Sequence, residues 1–341
     1  MRNILLIGLM CLLACQPSNP STDGETSQEE ASDPGPQRLR VIFDTDANNE
    51  LDDQHALAYL LFNGEVFDVA GITVNETRNG GALPNHMAEA KRVVALCGLT
   101  DKVPVIAGAS GAFPDIDPTV EGYDGEAAVE FIVREALNAS PENPLVLLPV
   151  GKLTNIALAV KKAPDIQDRV RMVWLGSNYP APGEYNQVND TAAMSYLLRQ
   201  RIPFEMVTVR YGEPSGTDAV RVTPAEAQKR LPALGIQVDK MVEGRHGGQF
   251  NRFGDYAADL FKHAEMHGDP PSRALFDMAA VAIVKNADWA QQRSIPAPRY
   301  ISGEWIEQSD TNRQMILWEH FDRDAIIEDF FATLANPVQV Y

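Results

Sequence analysis

The sequence predicts an α/β protein: a single domain in which a mostly parallel central sheet is flanked by helices. Its 341 residues, 45% of them hydrophobic, are enough to bury a large core. From Arg40 onward, short apolar runs alternate with amphipathic stretches of helical period, which is the pattern of β–α–β units. Polar residues follow directly after several apolar runs, at the carboxyl ends of the predicted strands, where such sheets bind ligands.

Each apolar run predicts a strand, and each amphipathic stretch between two runs predicts a helix. The predicted strands span residues 41–43, 66–74, 103–106, 145–150, 172–175 and 204–209. The predicted helices span residues 53–62, 85–96, 126–137, 154–162 and 191–199. Residues 222–255 are expected to form helices outside the main sheet, a placement that often roofs a pocket. The glycine-rich stretch 244–254 is either a mobile loop near that pocket or an ordinary surface loop.

The N-terminus has the features of a secretory signal peptide. Residues 1–15 combine a positive first segment, a short apolar run and a small residue before Cys15. The run is too short to span a membrane. It resembles a bacterial lipobox, in which cleavage leaves a lipidated Cys15; the alternative is an ordinary signal peptide with an incidental cysteine. Because Gln16 follows the cysteine, we expect a lipid-anchored protein of the bacterial cell envelope, on the outer membrane and facing the periplasm.

Composition restricts the partners of the rest of the chain. Residues 16–37 are rich in Ser, Pro, Gly and acids without an apolar period, which predicts a flexible tether to a folded domain at 38–341. The formal net charge of −18 argues against nucleic acid as a partner. With Cys15 lipidated, Cys97 is the remaining cysteine of the mature chain, so no intramolecular disulfide is expected. We expect membrane contact through the lipid anchor only.

Four aspartates lie within ten residues after the first predicted strand: Asp44, Asp46, Asp52 and Asp53. Carboxylates this close repel one another unless a cation or a hydrogen-bond network compensates. Oxygen ligands suit calcium or magnesium, and bidentate carboxylates combined with carbonyls and waters favour calcium. The alternative is that Asp52 and Asp53 cap the following helix, which explains two of the acids but not four.

This turn resembles the DTDxGxDDxxAL signature of the inosine-uridine-preferring nucleoside hydrolase family, and the resemblance extends over most of residues 38–335. Four further segments match family motifs in the same order. They are GITVN at 71–75, LPVGKLTNIA at 148–157, WLGSN at 174–178 with the following EYN and Asp190, and FDMAAVA at 276–282. The resemblance implies an open, Rossmann-like fold and a calcium-dependent hydrolase of N-ribosyl bonds.

The resemblance also implies a role for each matching residue. The residues that would hold calcium are Asp46, Asp53, Asp277 and, through its backbone carbonyl, Val150. Asp46 would also take the proton of the attacking water as general base. The residues that would bind the ribose hydroxyls are Asp52, Asn75, Asn178, Glu184 and Asn186. Asp44 would support the turn, and direct attack by one water predicts inversion at the anomeric carbon.

The aspartate turn departs from the family pattern in its length. Residues 47–51 lie between Asp46 and Asp52, where the signature has two residues fewer. The longer loop could add Asn49 or Glu50 to the pocket, or it could bulge outward.

The second departure is Phe276, which replaces the histidine that lies beside the leaving base in the inosine-uridine group. A phenyl ring cannot donate a proton. Help for the leaving group must then come from aromatic stacking, from another residue such as His246 or Tyr185, or from a better leaving group. Stacking raises the basicity of a purine, so a purine ribonucleoside is a reasonable hypothesis.

The other histidines give weaker signals. His55 lies about 200° around the first helix from Asp53 and is expected to point away from the site. His263 and His267 have i, i+4 spacing, but the intervening residues lack the zincin arrangement, which favours a solvated helix face.

Together these observations favour calcium-dependent hydrolysis of ribonucleosides to base and ribose. One alternative is a calcium-dependent riboside-binding protein that kept the metal site and lost turnover. Another is a hydrolase of a non-nucleoside riboside. Members of the family are often dimers or tetramers, so a homo-oligomer is left open.

Overall fold

The strands of the protein run mainly through one long sheet. The computed structural model describes residues 37–309 and 311–341, so the predictions of a signal peptide, a lipidated Cys15 and nearly all of the tether lie outside the described residues. The described strands are β1 (Leu39–Thr45), β2 (Phe67–Val74), β3 (Val105–Ala107), β4 (Leu145–Pro149), β5 (Val170–Leu175), β6 (Phe204–Val207), β7 (Arg221–Val222), β8 (Val242–Glu243), β9 (Gln249–Phe250), β10 (Arg273–Ala274), β11 (Gln291–Pro296), β12 (Arg299–Ile301), β13 (Glu304–Ile306) and β14 (Gln314–Glu319).

Eight of these strands form the central sheet, in the order β11-β14-β6-β5-β4-β1-β2-β3. Each neighbouring pair is parallel except β11 with β14. The remaining described strands form three short antiparallel pairs, β7 with β10, β8 with β9, and β12 with β13. The predicted fold class is therefore confirmed.

The helices cover both faces of the sheet. They are α1 (Asp52–Leu61), α2 (Leu83–Leu96), α3 (Glu126–Leu137), α4 (Thr154–Lys162), α5 (Tyr185–Asn189), α6 (Thr191–Leu197), α7 (Pro224–Arg230), α8 (Phe253–His263), α9 (Phe276–Lys285) and α10 (Arg323–Ala335). Successive side chains of a strand point to opposite faces. Val41 and Phe43 accordingly join a core with α1, α2, α8, α9 and α10, whereas Ile42 joins a second core with α3, α4 and α6.

All six predicted strands and all five predicted helices are present, with end positions shifted by a few residues. The expectation for residues 222–255 was only partly right. This region contains α7 and the start of α8, but the β8–β9 hairpin lies between them and includes part of the stretch 244–254. In the part of the chain that the structure describes, no helix is both long and apolar enough to cross a membrane.

Candidate active site

A cavity of about 840 Å³ opens at the carboxyl ends of β1, β4, β5 and β6. Its deep end is formed by residues that directly follow these strands, by the residue that caps α5 and by the first turns of α1 and α9. Five buried acids there form what we call the acidic floor: Asp46, Asp52, Asp53, Glu184 and Asp277. The outer part comes from the loops after β1, β6 and α8, from β10 and from the first residue of α9, and forms what we call the outer wall: Glu50, Tyr211, His267, Arg273 and Phe276.

Asp44 holds the aspartate turn in place through buried hydrogen bonds. Its buried carboxylate accepts hydrogen bonds from Thr73 Oγ1 at 2.5 Å, Asn75 Nδ2 at 2.7 Å and Asn155 Nδ2 at 2.7 Å. These donors come from β2 and α4, so Asp44 ties three elements together. Burial raises the pKa of Asp44 to about 6 although the three donors oppose the shift. This arrangement fits the supporting role expected for Asp44.

Asp46 lines the cavity with one carboxylate oxygen already engaged. Its Oδ2 accepts a hydrogen bond from Thr77 Oγ1. A side chain at Gly151 would come within 2.9 Å of the other oxygen, Oδ1, and within 3.1 Å of Asn75, so glycine permits the close approach of the β4–α4 loop. Burial raises the pKa of Asp46, and the hydrogen bond from Thr77 lowers it.

Asp52, Asp53 and Asp277 form the tightest acidic group of the floor. One carboxylate oxygen from each lies within 4.8 Å of the others, and all three side chains are buried. Asp52 and Asp53 begin α1 and Asp277 lies in the first turn of α9, so the N-termini of both helices face the group. Asp46 lies outside this set of three among the described residues, although the sequence reasoning placed it with Asp53 and Asp277.

The electrostatics of this group call for a cation. Burial, followed by the repulsion of neighbouring acids, raises the pKa of Asp53 and Asp277 well above the usual value, and burial raises that of Asp52 to about 7. Three buried carboxylates at this separation must be protonated or neutralised by positive charge. The donor atoms are all oxygens, which suits a hard divalent cation, so the residues present fit a metal ion.

Glu184 and Asn186 are fixed at the ends of β4 and β5. The carboxylate of Glu184 accepts from three backbone N–H groups, those of Ser177 at 2.8 Å, Asn186 at 2.9 Å and Gln187 at 2.9 Å. Asn186 donates through Nδ2 to the carbonyl of Val150 at 2.7 Å and to that of Leu175 at 3.1 Å. Glu184, Asn186 and Val150 all line the cavity, as expected from the sequence.

Two of the expected ribose-binding residues are not among the residues that line the cavity. Asn75 is buried behind the floor and donates to Asp44, while its Oδ1 has no hydrogen-bond partner among the described residues. Asn178 accepts from the backbone N–H of Tyr211 at 3.3 Å and so helps to place an outer-wall residue.

The lengthened turn contributes to the cavity, which decides between the two alternatives for it. Asn49 and Glu50 both line the cavity. Glu50 forms an ion pair with Arg273, which precedes α9. The backbone N–H of Asn49 donates to the carbonyl of Asp46 at 3.0 Å, and this holds the loop against the floor.

Aromatic side chains also line the outer part of the cavity. The ring of Phe276 meets that of Tyr211 edge to face, with centroids 5.7 Å apart. Tyr185 lines the cavity nearby, and its hydroxyl oxygen accepts from the backbone N–H of Asn79 at 3.0 Å. Phe276 and Tyr185 therefore both line the cavity, and Tyr211 was missed because nothing in its neighbourhood marks it as a site residue.

The structure brings His267 to the cavity and leaves His246 out of it. His246 is exposed and stacks on His263, with ring centroids 4.4 Å apart, and it is not among the cavity-lining residues. The expectation that His263 and His267 share a helix face was wrong, because α8 ends at His263 and His267 lies in the following loop. His55 points away from the site, as expected.

Comparison with known proteins identifies the family. The family model described as inosine-uridine preferring nucleoside hydrolase matches residues 41–328. The non-specific ribonucleoside hydrolase RihC of Salmonella schwarzengrund is 27% identical over 264 residues, which cover 72% of this chain and 78% of that protein.

Two solved structures share the fold. One is a plant nucleoside hydrolase, with a TM-score of 0.69 and 16% identity, covering 88% of this chain and 100% of that one. The other is a purine-preferring ribonucleoside hydrolase from Gardnerella vaginalis, with a TM-score of 0.65 and 21% identity, covering 87% and 98% of the two chains. The chain therefore belongs to the inosine-uridine preferring nucleoside hydrolase family, and it is an enzyme that hydrolyses N-glycosidic bonds.

Proposed function

We propose that the protein hydrolyses ribonucleosides to free base and ribose, with a calcium ion held in the acidic floor. The observation that carries the proposal is the group of Asp52, Asp53 and Asp277, three buried carboxylates within 4.8 Å of one another in a cavity of nucleoside size. Family membership and the ribonucleoside hydrolase activity named for relatives support the substrate class.

Calcium is the ion that this donor set suits best. Carboxylates and a backbone carbonyl are hard oxygen donors, and calcium accepts more of them, in less regular geometry, than magnesium does. Asp53 and Asp277 would hold the ion, with Asp52 or Asp46 and the Val150 carbonyl beside them. When bound, calcium would supply the positive charge that keeps these acids ionised and polarises the attacking water.

Asp46 is the general base of this proposal. Because its Oδ2 already accepts from Thr77, Oδ1 is the oxygen free to take the proton of the attacking water. Glu184 is held rigidly by three backbone donors, so its charge is preorganised to stabilise the positive charge that develops on the ribose. Attack by one water on the face opposite the base gives inverted ribose.

Catalysis would take place at the cell envelope. The signal-like N-terminus and Cys15 support a lipid-anchored enzyme on the outer membrane, facing the periplasm. Replacing Cys15 with Ser should move the protein from the membrane fraction to the soluble periplasmic fraction and abolish labelling by a palmitate analogue. Unchanged membrane association of Cys15→Ser would contradict this part of the proposal.

The catalytic proposal is tested with the full-length protein in detergent, stripped of metal with a chelator. Purine and pyrimidine ribonucleosides and their 2′-deoxy counterparts are supplied with and without calcium, and reducing sugar is measured. Release is expected only with calcium and from ribonucleosides, with exposed Asp165→Asn as a control that behaves like wild type. Tight nucleoside binding without release would instead establish the riboside-binding alternative.

A further inference from the structure

The outer wall contains a buried cation whose hydrogen-bonding capacity is largely unused. Arg273 is 6% exposed and lines the cavity as the first residue of β10, three residues before Phe276. A guanidinium carries five N–H donors. Among the described residues, it forms an ion pair with Glu50 and feels the charge of the floor acid Asp277, and its Nε–H has no acceptor. Leaving buried donors of a charged group unpaired is costly, which points to an acceptor supplied from elsewhere.

A second arginine in the same cavity shows what a purely structural guanidinium looks like here. Arg221 donates through Nε to Ser272 Oγ at 2.8 Å and pairs with Asp218 at 2.7 Å. It also donates to the carbonyls of Ser272 and His267. The donors of Arg221 are thus engaged within the protein, whereas Nε of Arg273 is buried without an acceptor.

The lengthened aspartate turn supplies both the partner of Arg273 and a nearby acceptor. Glu50 of this loop pairs with the guanidinium, and Asn49 Oδ1, also lining the cavity, is buried without a hydrogen-bond partner among the described residues. A donor and an acceptor of unmet capacity therefore lie in two residues that line the cavity, whose floor is assigned to the sugar under the proposed function. Asn49, Glu50 and Arg273 together make a polar subsite beside the floor.

We propose that Arg273, held by Glu50, binds the leaving base and stabilises the negative charge that the base gains as the N-glycosidic bond breaks. This inference rests on the proposed function. The residue would do by charge what Phe276 cannot do by proton donation. It is a further catalytic residue on the leaving-group side of the cavity.

The chemistry balances without another reactant. The bond between the anomeric carbon and the base nitrogen breaks, and its electron pair stays on the base. The oxygen of the attacking water bonds to the anomeric carbon, and its proton passes to Asp46 and then to solvent. The base anion, held by the guanidinium, takes a proton from solvent, so one water is consumed for each base and ribose released.

Arg273 should favour one class of base. When the base contains a carbonyl conjugated with the departing nitrogen, part of the negative charge reaches the carbonyl oxygen, which a guanidinium binds strongly. A base with only an amino substituent offers no such oxygen. Arg273 therefore predicts faster hydrolysis of oxo-base ribosides such as inosine than of adenosine.

The test compares three substrates in full-length wild type and Arg273→Gln: inosine, adenosine and a nitrophenyl riboside, whose leaving group departs without help. Removing a preorganised charged donor typically costs 10² to 10³ in rate, so kcat/KM for inosine should fall about 100-fold, for adenosine about tenfold or less, and for the nitrophenyl riboside less than about threefold. Arg273→Lys keeps the positive charge but loses the planar, forked arrangement of N–H donors. It should recover part of the kcat/KM that Arg273→Gln loses for inosine.

Matched variants separate a catalytic from a structural role. Arg245→Gln removes a cation that donates to the Asn48 carbonyl on the same loop but lies outside the cavity lining, and it should leave all three substrates unchanged. Glu50→Gln should lower kcat/KM for inosine selectively, by less than Arg273→Gln does. A guanidinium does not titrate in proteins. The pH dependence of kcat/KM for inosine should therefore keep in Arg273→Gln the acid limb that it has in wild type.

Each other outcome is informative. An equal loss for all three substrates would assign Arg273 to holding the floor and overturn the inference, as would no loss at all. A selective loss in His267→Gln instead of Arg273→Gln would move the role to that exposed histidine. A wild-type protein inactive on every riboside would refute the proposed function itself, which is distinct from active wild type with unselective variants.

Discussion

The acidic floor and the outer wall are built in different ways, although they line a single cavity. The floor acids are at most 6% exposed and lie directly after a strand end, at a helix N-cap or in the first turns of helices. The outer wall comes mostly from loops and the two-residue strand β10, with Phe276 at the start of α9, and Tyr211 in it is 48% exposed. Floor positions are thus set by the sheet and the first turns of helices, whereas wall positions are set mostly by loops.

This difference suits the two regions to different parts of the substrate. A floor fixed by the backbone suits the invariant part of the substrate, the ribose, whose positive charge needs preorganised acids. A wall made of loops can change with the leaving group without disturbing the sheet. Changes in the floor should therefore affect every riboside equally, and changes in the wall should discriminate between leaving groups.

The largest expected effect tests the floor. Asp46→Ala removes the proposed general base, and kcat should fall about 10³-fold for purine, pyrimidine and nitrophenyl ribosides alike, within the range typical of general-base removal. Steady-state kinetics with calcium present measure it, with Asp165→Asn as the exposed control. Full activity in Asp46→Ala would remove Asp46 from the mechanism, and a loss confined to one leaving group would break the comparison.

The next effect tests why the floor is rigid. His55, two residues beyond Asp53, packs against Phe253, Phe261 and Phe330 and donates through Nδ1 to the Leu51 carbonyl. Burial lowers the pKa of His55 from 6.5 to about 4. Between these values the unfolded chain binds a proton that the folded chain excludes. Stability from this site is complete above pH 6.5 and is lost as the pH falls towards 4, by about 3 kcal/mol.

His55→Leu removes that titration, so urea unfolding of the variant should lose about 3 kcal/mol less than wild type between pH 7 and pH 4. The comparison of two slopes cancels the carboxylates that titrate in both proteins. If the free energy of unfolding depended on pH identically in both proteins, His55 would be protonated or accessible in the folded protein. The packing of α1 behind the floor would then be loose enough to admit a proton.

The floor could be predicted from sequence because its residues are local to predicted elements. Asp46, Asp52 and Asp53 follow β1 within one turn, so period and composition were enough to find them. Asp277 was found through the family resemblance, since a lone aspartate before an apolar helix gives no signal by itself. The tight grouping of Asp52 with Asp53 and Asp277, in place of Asp46, depends on how α1 and α9 pack and had no local signature.

The outer wall could not be predicted because its residues are not local to predicted elements. Arg273 reaches the cavity because β10 pairs with β7, about fifty residues earlier in the chain, and this pairing rests on two residues in each strand. His267 was placed on a helix because its spacing from His263 fits one, but the helix ends first. The sequence did not predict the edge strand β11, because the first four residues of this strand are polar and exposed.

A smaller effect tests which region holds the ion. Calcium that binds only the folded state stabilises it by about 2.7 kcal/mol at one hundred times its dissociation constant. Thermal unfolding should therefore shift upward with calcium in wild type and in the wall variant Phe276→Leu, but not in the floor variant Asp277→Asn. A shift that survives in Asp277→Asn would place the ion elsewhere and contradict the assignment of the floor.

The smallest effect tests the wall through Phe276. Phe276→Leu keeps an apolar side chain but removes the aromatic ring that meets Tyr211. Loss of an aromatic contact worth about 1 kcal/mol should raise KM for purine ribonucleosides about fivefold. Phe276→Tyr keeps the ring and should stay near wild type. Because stacking scales with ring area, pyrimidine ribonucleosides should be affected less. A uniform fall in kcat for all ribosides would assign Phe276 to the floor and erase the distinction between the two regions.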